Sequence, residues 1–148
     1  GASHRLEKIV EREGLIVFKD FAHSPSKVQA TVKAVCEQYT DSKVIAILEL
    51  HTFSSLSQTF LTEYKNSMNG PDISYVYFNP QTLINKNISD FSKELVHNSF
   101  DRKDLIVFTD NQMCFSSVQS ELSSKTVVLL MSSGNFGGLV LEDFSRNL

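Results

Sequence analysis

Residues 14–25 read Gly-Leu-Ile-Val-Phe-Lys-Asp-Phe-Ala-His-Ser-Pro, and this stretch decides the fold. An apolar strand that starts at Leu15 ends in an acid, Asp20, and an imidazole, His23, just before a helix that Pro25 can begin. Ligands of open α/β sheets bind at the carboxyl ends of the strands. The stretch therefore predicts an α/β domain with Asp20 and His23 at its ligand-binding edge.

Strands and helices alternate on both sides of this stretch. Before it, a charged strand over Leu6–Arg12 and a turn at Glu13-Gly14 predict an N-terminal edge hairpin. Apolar spacing predicts four helices, over residues 25–39, 57–68, 90–98 and 111–122. It predicts five further strands, over residues 15–19, 43–50, 73–78, 105–108 and 126–131. We expect a three-layer Rossmann-like domain, with a mostly parallel sheet of about six strands.

Composition limits the classes of function. A chain of 148 residues with 41% hydrophobic residues is expected to form one independently folding domain. The net charge of −3 and the scattered lysines argue against nucleic-acid binding. No apolar run approaches the roughly 20 residues that span a bilayer, so we expect a soluble cytoplasmic protein without membrane contact.

The cysteines and histidines give no sign of metal chemistry. Cys36 and Cys114 lie in helical segments and are expected to be reduced, unreactive thiols. The four histidines form no paired ligand motif, and neither cysteine has a partner nearby, so no metal is predicted. Gly1–Ser3 has the look of a tag-cleavage remnant and is left out of the fold prediction.

A glycine-rich turn follows the last predicted strand, in the sequence Ser-Ser-Gly-Asn-Phe-Gly-Gly over residues 132–138. Such a turn lets backbone amides come close to an anion, and a carboxylate or a phosphate would fit. The glycines could equally serve only a tight turn and close packing. The spacing is not that of a dinucleotide-binding fingerprint, which also follows the first strand rather than the last.

Two motifs resemble the C-terminal domain of the Mur ligases, ATP-dependent amide-forming enzymes of bacterial cell-wall synthesis. Residues 20–25 fit the Asp-x-Ala-His-x-Pro sequence that opens that domain. Residues 131–138 are similar to the Met-Ser-x-Gly-x-Phe-Gly-Gly turn of the murein-peptide ligases, more than to the Met-Gly-Ala-Gly turn of the alanine-adding relatives. The motifs occur in the family's order, near the two ends of the chain.

The resemblance implies roles for these residues. Asp20 would bind a ribose hydroxyl and His23 would organise the nucleotide-side surface. The residues of the glycine-rich turn would lie beside the incoming amino acid or peptide; they are Ser132, Ser133, Gly134 and Asn135. Judged from the residues alone, Asp20 or Ser24 could instead cap the following helix, and His23 could bond the backbone to order the turn.

The chain departs from the family pattern at two arginines. In the loop over residues 49–55, Thr52 stands where relatives have an arginine, although His51 and two serines remain as polar candidates. At Asn79-Pro80-Gln81, the diaminopimelate-adding relatives have Asp-Asn-Pro-Arg. Gln81 takes the place of the arginine, so only Asn79 is kept as a substrate-side candidate. How a substrate carboxylate is bound without these arginines is therefore an open question at the level of sequence.

The resemblance implies a ligase that phosphorylates a carboxylate with ATP and magnesium and then lets an amine attack. The expected substrates are UDP-N-acetylmuramate and the recycled tripeptide L-alanyl-γ-D-glutamyl-meso-diaminopimelate; ligation of L-alanine is the alternative. The chain has no Gly-x-x-Gly-Lys-Ser/Thr phosphate loop, so we expect an excised C-terminal domain whose partners are its own central and N-terminal domains. A non-catalytic flavodoxin-like binding or regulatory domain is the second alternative.

Overall fold

The computed structural model describes residues 6–52, 54–139 and 141–148. Six strands form one sheet: β1 (Leu6–Arg12), β2 (Leu15–Asp20), β3 (Lys43–Glu49), β4 (Ile73–Tyr77), β5 (Ile106–Phe108) and β6 (Thr126–Met131). Their spatial order is β1-β2-β6-β3-β4-β5, and only β1 runs antiparallel to its neighbour. The predicted α/β class, mostly parallel sheet and N-terminal edge hairpin are therefore confirmed. The proposed tag remnant lies outside the described residues.

In the described part of the chain, five α-helices lie between the strands and a sixth follows β6: α1 (Pro25–Gln38), α2 (Gln58–Leu61), α3 (Pro80–Asn85), α4 (Lys93–Phe100), α5 (Asn111–Ser120) and α6 (Leu141–Arg146). Ser24 takes the N-cap position of α1 as predicted, but its side chain makes no capping hydrogen bond. The Pro25 ring at the first helical position fixes the backbone there and has no N–H to cap.

The prediction of a helix over residues 57–68 was wrong. The α-helical part ends at Leu61, and a single 3-10 turn, Thr62–Tyr64, follows it. Lys65 then leaves the helical backbone conformation, and Asn66 is left-handed with φ 67°. Asparagine tolerates that conformation better than most residues, so it breaks the helix earlier than the apolar spacing indicated.

The region after β4 also differs from the prediction. Helix α3 was not predicted, although Asn79 followed by Pro80 is a strong start signal for a helix. The helix predicted over residues 90–98 instead begins at Lys93, because Asp90 is left-handed with φ 61° and Ser92 acts as the N-cap. The Ser92 hydroxyl accepts the N–H of Leu95 at 3.1 Å.

The sheet separates two apolar cores, which gives the three layers. One core lies under α1, α2 and α4 and includes Val32, Leu61 and Phe100. The other lies under α5 and α6 and includes Phe115 and Phe136. Strands β3 and β6 are buried on both faces, as expected for central parallel strands. None of the described helices combines the length and apolar character needed to cross a membrane.

The parallel strands end together at one edge of the sheet. In register, Met131 pairs with Asp20 on one side and with Leu48 on the other, while Glu49 pairs with Tyr77. The loops that follow β2, β3, β4, β5 and β6 therefore meet at this edge, here named the carboxyl edge. It is where a doubly wound sheet binds ligands.

Candidate functional site

A buried carboxylate, Glu49, organises the carboxyl edge. It ends the apolar strand β3 and is 2% exposed. Its Oε1 accepts hydrogen bonds from the Ser132 hydroxyl and, at 2.9 Å, from the N–H of Phe136. These bonds fasten the residues after β6 to β3. Sequence analysis did not select Glu49, and the available signal was an acid at the end of an otherwise apolar run.

The turn over residues 132–138, here named the glycine turn, has an unusual backbone. Phe136 is left-handed with φ 51°, and the two glycines after it have φ 73° and 96°. A left-handed non-glycine residue costs about 1–2 kcal/mol, so the surroundings must compensate. Phe136 is fully buried, stacks on Tyr77 with ring centroids 6.2 Å apart, and accepts the Asn111 side-chain N–H at 3.0 Å. Burial and the nearby Glu49 raise the pKa of Tyr77 to about 12, so its hydroxyl stays neutral.

The first half of the glycine turn carries donors that have no partner among the described residues. Ser132 is committed to the fold, because its Oγ also accepts the N–H of Gly134 at 2.7 Å. Within the described residues, the N–H groups of Ser133 and Asn135 have no acceptor, and the buried Ser133 Oγ has no partner. Asn135 is exposed. Unpaired amides in such a turn can hold an anion.

The loop after β3 packs directly on the glycine turn. A Cβ at position 134 would lie 2.8 Å from Cγ of His51, so only glycine allows the imidazole to sit there. Thr52 turns back into its own loop, where its Oγ1 accepts the N–H of Ser55 at 3.2 Å. The structure thus brings His51, but not the side chain of Thr52, to the glycine turn. Phe53 of this loop lies outside the described residues.

Asp20 stabilises the entry into α1. It is 3% exposed; Oδ1 accepts the N–H of Ala22 at 3.0 Å, and Oδ2 accepts the Thr31 hydroxyl at 3.0 Å. Its backbone oxygen accepts the N–H of Ser132 at 3.0 Å, which joins the β2 end to the glycine turn. A carboxylate has about four lone-pair positions, so these bonds fix its orientation without exhausting its capacity to accept.

His23 and Asn79 mainly order their own turns. Nδ1 of His23 lies 3.1 Å from the Phe21 carbonyl oxygen, and the Tyr64 hydroxyl donates to the His23 carbonyl. The Phe21 ring packs edge-on against the His23 ring and is 61% exposed. Asn79 caps α3, where its Oδ1 accepts the N–H of Gln81 at 3.0 Å. Asn79 therefore lies at the carboxyl edge as the N-cap of α3.

A cavity of about 370 Å³ lies on the α6 side of this edge. Its walls include Asp20, Phe21 and Asn135, so it joins the end of β2 to the glycine turn. An ion pair between Lys19 and Glu142, 3.0 Å apart, borders it, and the hydrogen bond from Lys19 lowers the pKa of Glu142. In the parts of the chain that the structure describes, no three His, Cys, Asp or Glu residues group as metal ligands.

The fold and the edge define a Rossmann-like α/β domain in which the glycine turn lies beside the turn that carries Asp20 and His23. The sequence model of the family "Mur ligase, glutamate ligase domain" matches residues 4–134. The UDP-N-acetylmuramate–L-alanine ligase of Chlorobaculum parvum is 28% identical over 126 residues, covering 82% of this chain and 26% of the relative. The chain therefore belongs to the Mur ligase family and corresponds to its C-terminal domain.

Solved structures share the fold. A murein peptide ligase from Psychrobacter arcticus superposes with a TM-score of 0.70 at 19% identity, covering 96% of this chain and 28% of that one. A domain assigned to a UDP-N-acetylmuramate:L-alanyl-γ-D-glutamyl-meso-diaminopimelate ligase from Haemophilus ducreyi gives a TM-score of 0.62 at 20% identity, covering 97% of this chain and 100% of that one. The chain thus spans about a quarter of the length of the whole ligases it matches, but all of the separately solved domain.

Proposed function

We propose that this chain is the C-terminal domain of an ATP-dependent ligase that joins UDP-N-acetylmuramate to the tripeptide L-alanyl-γ-D-glutamyl-meso-diaminopimelate during peptidoglycan recycling in the cytoplasm. The observation that carries the proposal is the glycine turn. Glu49 anchors it, His51 packs on it, and its unpaired backbone amides can donate hydrogen bonds to a peptide carboxylate. The turn's sequence also resembles that of the murein-peptide ligases.

The proposed reaction passes through an acyl phosphate. The sugar carboxylate attacks the γ-phosphorus of ATP and expels ADP. The peptide amine then attacks the acyl carbon, loses a proton and expels phosphate, which leaves the amide. This chemistry depends on positioning and on charge stabilisation, which rigid backbone donors supply well. In this proposal, the central domain binds most of ATP and magnesium, and the C-terminal domain closes over the nucleotide and positions the amine.

Asp20 and His23 fit the nucleotide side of such a site. The Asp20 carboxylate is held rigidly and retains lone pairs for a ribose hydroxyl. The exposed Phe21 ring lies beside His23 and gives the same loop an apolar surface on which the adenine ring of ATP can pack. In the proposed enzyme these residues bind and orient the nucleotide, while their hydrogen bonds to the chain keep the loop in place.

A second candidate is ligation of L-alanine in place of the tripeptide. It is favoured by the name of the Chlorobaculum parvum relative, a UDP-N-acetylmuramate–L-alanine ligase. The two reactions share ATP and the nucleotide sugar and differ only in the amine. Membership of the Mur ligase family supports either ligase over a free-standing flavodoxin-like binding domain.

The ligase can be tested on the full-length protein that contains this chain. We expect ADP to form over repeated turnovers only when ATP, UDP-N-acetylmuramate and the amine are all present, and the 148-residue chain alone to form none. With ¹⁸O in the sugar carboxylate, one ¹⁸O should appear in the released phosphate. ADP formation without any amide product, or no dependence on the nucleotide sugar, would contradict the proposal.

A further inference from the structure

The two loops that form the proposed peptide site carry no cationic side chain of the lysine or arginine type. Residues 49–57 and 132–139 contain neither lysine nor arginine. Backbone amides alone bind a carboxylate weakly in water, whereas a direct hydrogen bond from an ammonium or guanidinium is roughly twice as strong as one between neutral groups. A positive charge from another part of the chain would therefore strengthen anion binding at the glycine turn.

Helix α3 brings such a charge to this edge. Lys86 follows the last residue of α3, is partly buried, and donates from Nζ to the His51 carbonyl oxygen at 3.2 Å. An ammonium has three hydrogens, so two remain for a ligand. Among the described residues, no carboxylate pairs with Lys86, whereas Lys19 on the other side of the edge is paired with Glu142 at 3.0 Å.

The position of Lys86 follows from the chain path. Asn79 and Pro80 start α3 at the carboxyl edge, and six residues later the chain reaches Lys86. At that point the main chain forms three bonds back to α3, from the N–H groups of Lys86, Asn87 and Ile88 to the carbonyls of Thr82, Ile84 and Leu83. The base of the lysine side chain is thereby fixed, so its ammonium stays beside the loop after β3.

We propose that Lys86 is the cation that binds a carboxylate of the peptide substrate, together with His51 and the open amides of Ser133 and Asn135. The inference rests on the proposed function and names a residue for its substrate specificity. In the tripeptide, the γ-linked glutamate keeps its α-carboxylate and the diaminopimelate keeps two more, so the substrate offers three carboxylates distant from the reacting amine. L-alanine offers only the one next to its amine.

Binding to the 148-residue chain gives the first test, because the solved Haemophilus ducreyi domain of the same extent shows that such a unit is stable alone. The tripeptide is titrated into the labelled chain and followed by NMR. We expect shifts at the His51 ring and at the amides of Ser133 and Asn135. The peptide affinity measured from these shifts should fall about tenfold or more in Lys86→Gln and should be retained in Lys86→Arg. Absence of peptide-dependent shifts, or equal shifts in Lys86→Gln, would overturn the inference.

Kinetics of the full-length protein give the second test. Lys86→Gln should raise KM for the tripeptide about ten- to a hundredfold and leave KM for ATP and UDP-N-acetylmuramate unchanged. The control is Lys93→Gln, which removes an exposed lysine at the start of α4. A rise in KM for ATP instead would assign Lys86 to a phosphate and overturn the inference. If the full-length protein uses no tripeptide, the proposed function fails, and the NMR titration alone decides the role of Lys86.

The free variants show whether Lys86 acts only through the fold. If its bond to the His51 carbonyl merely holds the loop, Lys86→Gln should move the His51 ring resonances before any ligand is added. We expect unchanged His51 resonances and an unchanged melting temperature, with the loss confined to the peptide complex. A displaced His51 ring in the free Lys86→Gln variant would contradict direct binding, because Lys86 would then act by holding the loop.

Discussion

Replacing Glu49 tests the anchor of the glycine turn. Its Oε1 accepts two hydrogen bonds in a site that is 2% exposed, one from the Ser132 hydroxyl and one from the Phe136 N–H. A hydrogen bond to a charged group contributes about 1.5–3 kcal/mol, and alanine would leave the Phe136 amide buried without a partner. We expect Glu49→Ala to lower the free energy of unfolding by about 3–5 kcal/mol.

Two further variants divide this loss into its parts. Glu49→Gln keeps an oxygen acceptor but removes the charge, so it should cost only about 1–2 kcal/mol. Ser132→Ala removes one of the two donors and should cost a similar amount. When Glu49→Ala and Ser132→Ala are combined, the total loss of stability should be about 1 kcal/mol smaller than the sum of the two single losses, because the two residues share one hydrogen bond. Urea unfolding followed by circular dichroism measures all three values.

The matched control is Glu37→Ala on α1. That carboxylate is 68% exposed and lies 3.9 Å from the Lys33 ammonium, so its removal should change stability by less than about 0.5 kcal/mol. If Glu49→Ala proved as stable as Glu37→Ala, the glycine turn would not depend on the buried carboxylate, and the explanation of its strained backbone would be refuted.

Three further predictions concern the same edge and the core. Gly134→Ala should displace the His51 ring and shift its NMR resonances. The control is Gly138→Ala, where φ is 96° and an added Cβ meets open space, so it should only lower stability by about 1–2 kcal/mol. An unmoved His51 in Gly134→Ala would contradict the packing. Asp20→Ala should raise KM for ATP in the full-length ligase about tenfold or more. Thr31→Val removes only the hydroxyl that donates to Asp20 and should leave KM for ATP unchanged. Equal kinetics in both variants would mean that Asp20 only caps α1. Burial raises the pKa of Cys114 to about 12, so at pH 8 a disulfide reagent should modify it only after unfolding. Because Cys36 is less buried, the test uses Cys36→Ser, and rapid modification of that native variant would refute the burial of Cys114.

The sheet, Asp20 and the glycine turn could be predicted from the sequence because each is indicated by residues that are close together along the chain. β6 is a continuous apolar run, and the glycine turn follows it directly, so both were located from neighbouring residues. Asp20 was placed correctly at the end of β2 for the same reason. Both motifs match one family, and this match predicted that they lie close together at one edge of the sheet. The spacing of residues along the chain could not have predicted this.

The features that organise the site depend on distant pairs. Glu49 meets Ser132 across 83 residues, and Lys86 meets His51 across 35, so no window of sequence contains either contact. The helix predicted over residues 57–68 failed for another reason. A periodic apolar pattern persists through it, but a left-handed Asn66 and the packing of Tyr64 end the helix early.

The central claim is tested most directly by a competition between the two amines. The full-length protein is given ATP, UDP-N-acetylmuramate and equal concentrations of L-alanine and the tripeptide, and the products are separated by mass. We predict that nearly all product carries the tripeptide, because a site built to hydrogen-bond carboxylates distant from the amine discriminates strongly against a substrate that lacks them. Product carrying mainly L-alanine would assign the chain to the alanine-adding ligases, and no product with either amine would contradict its role in a peptidoglycan ligase.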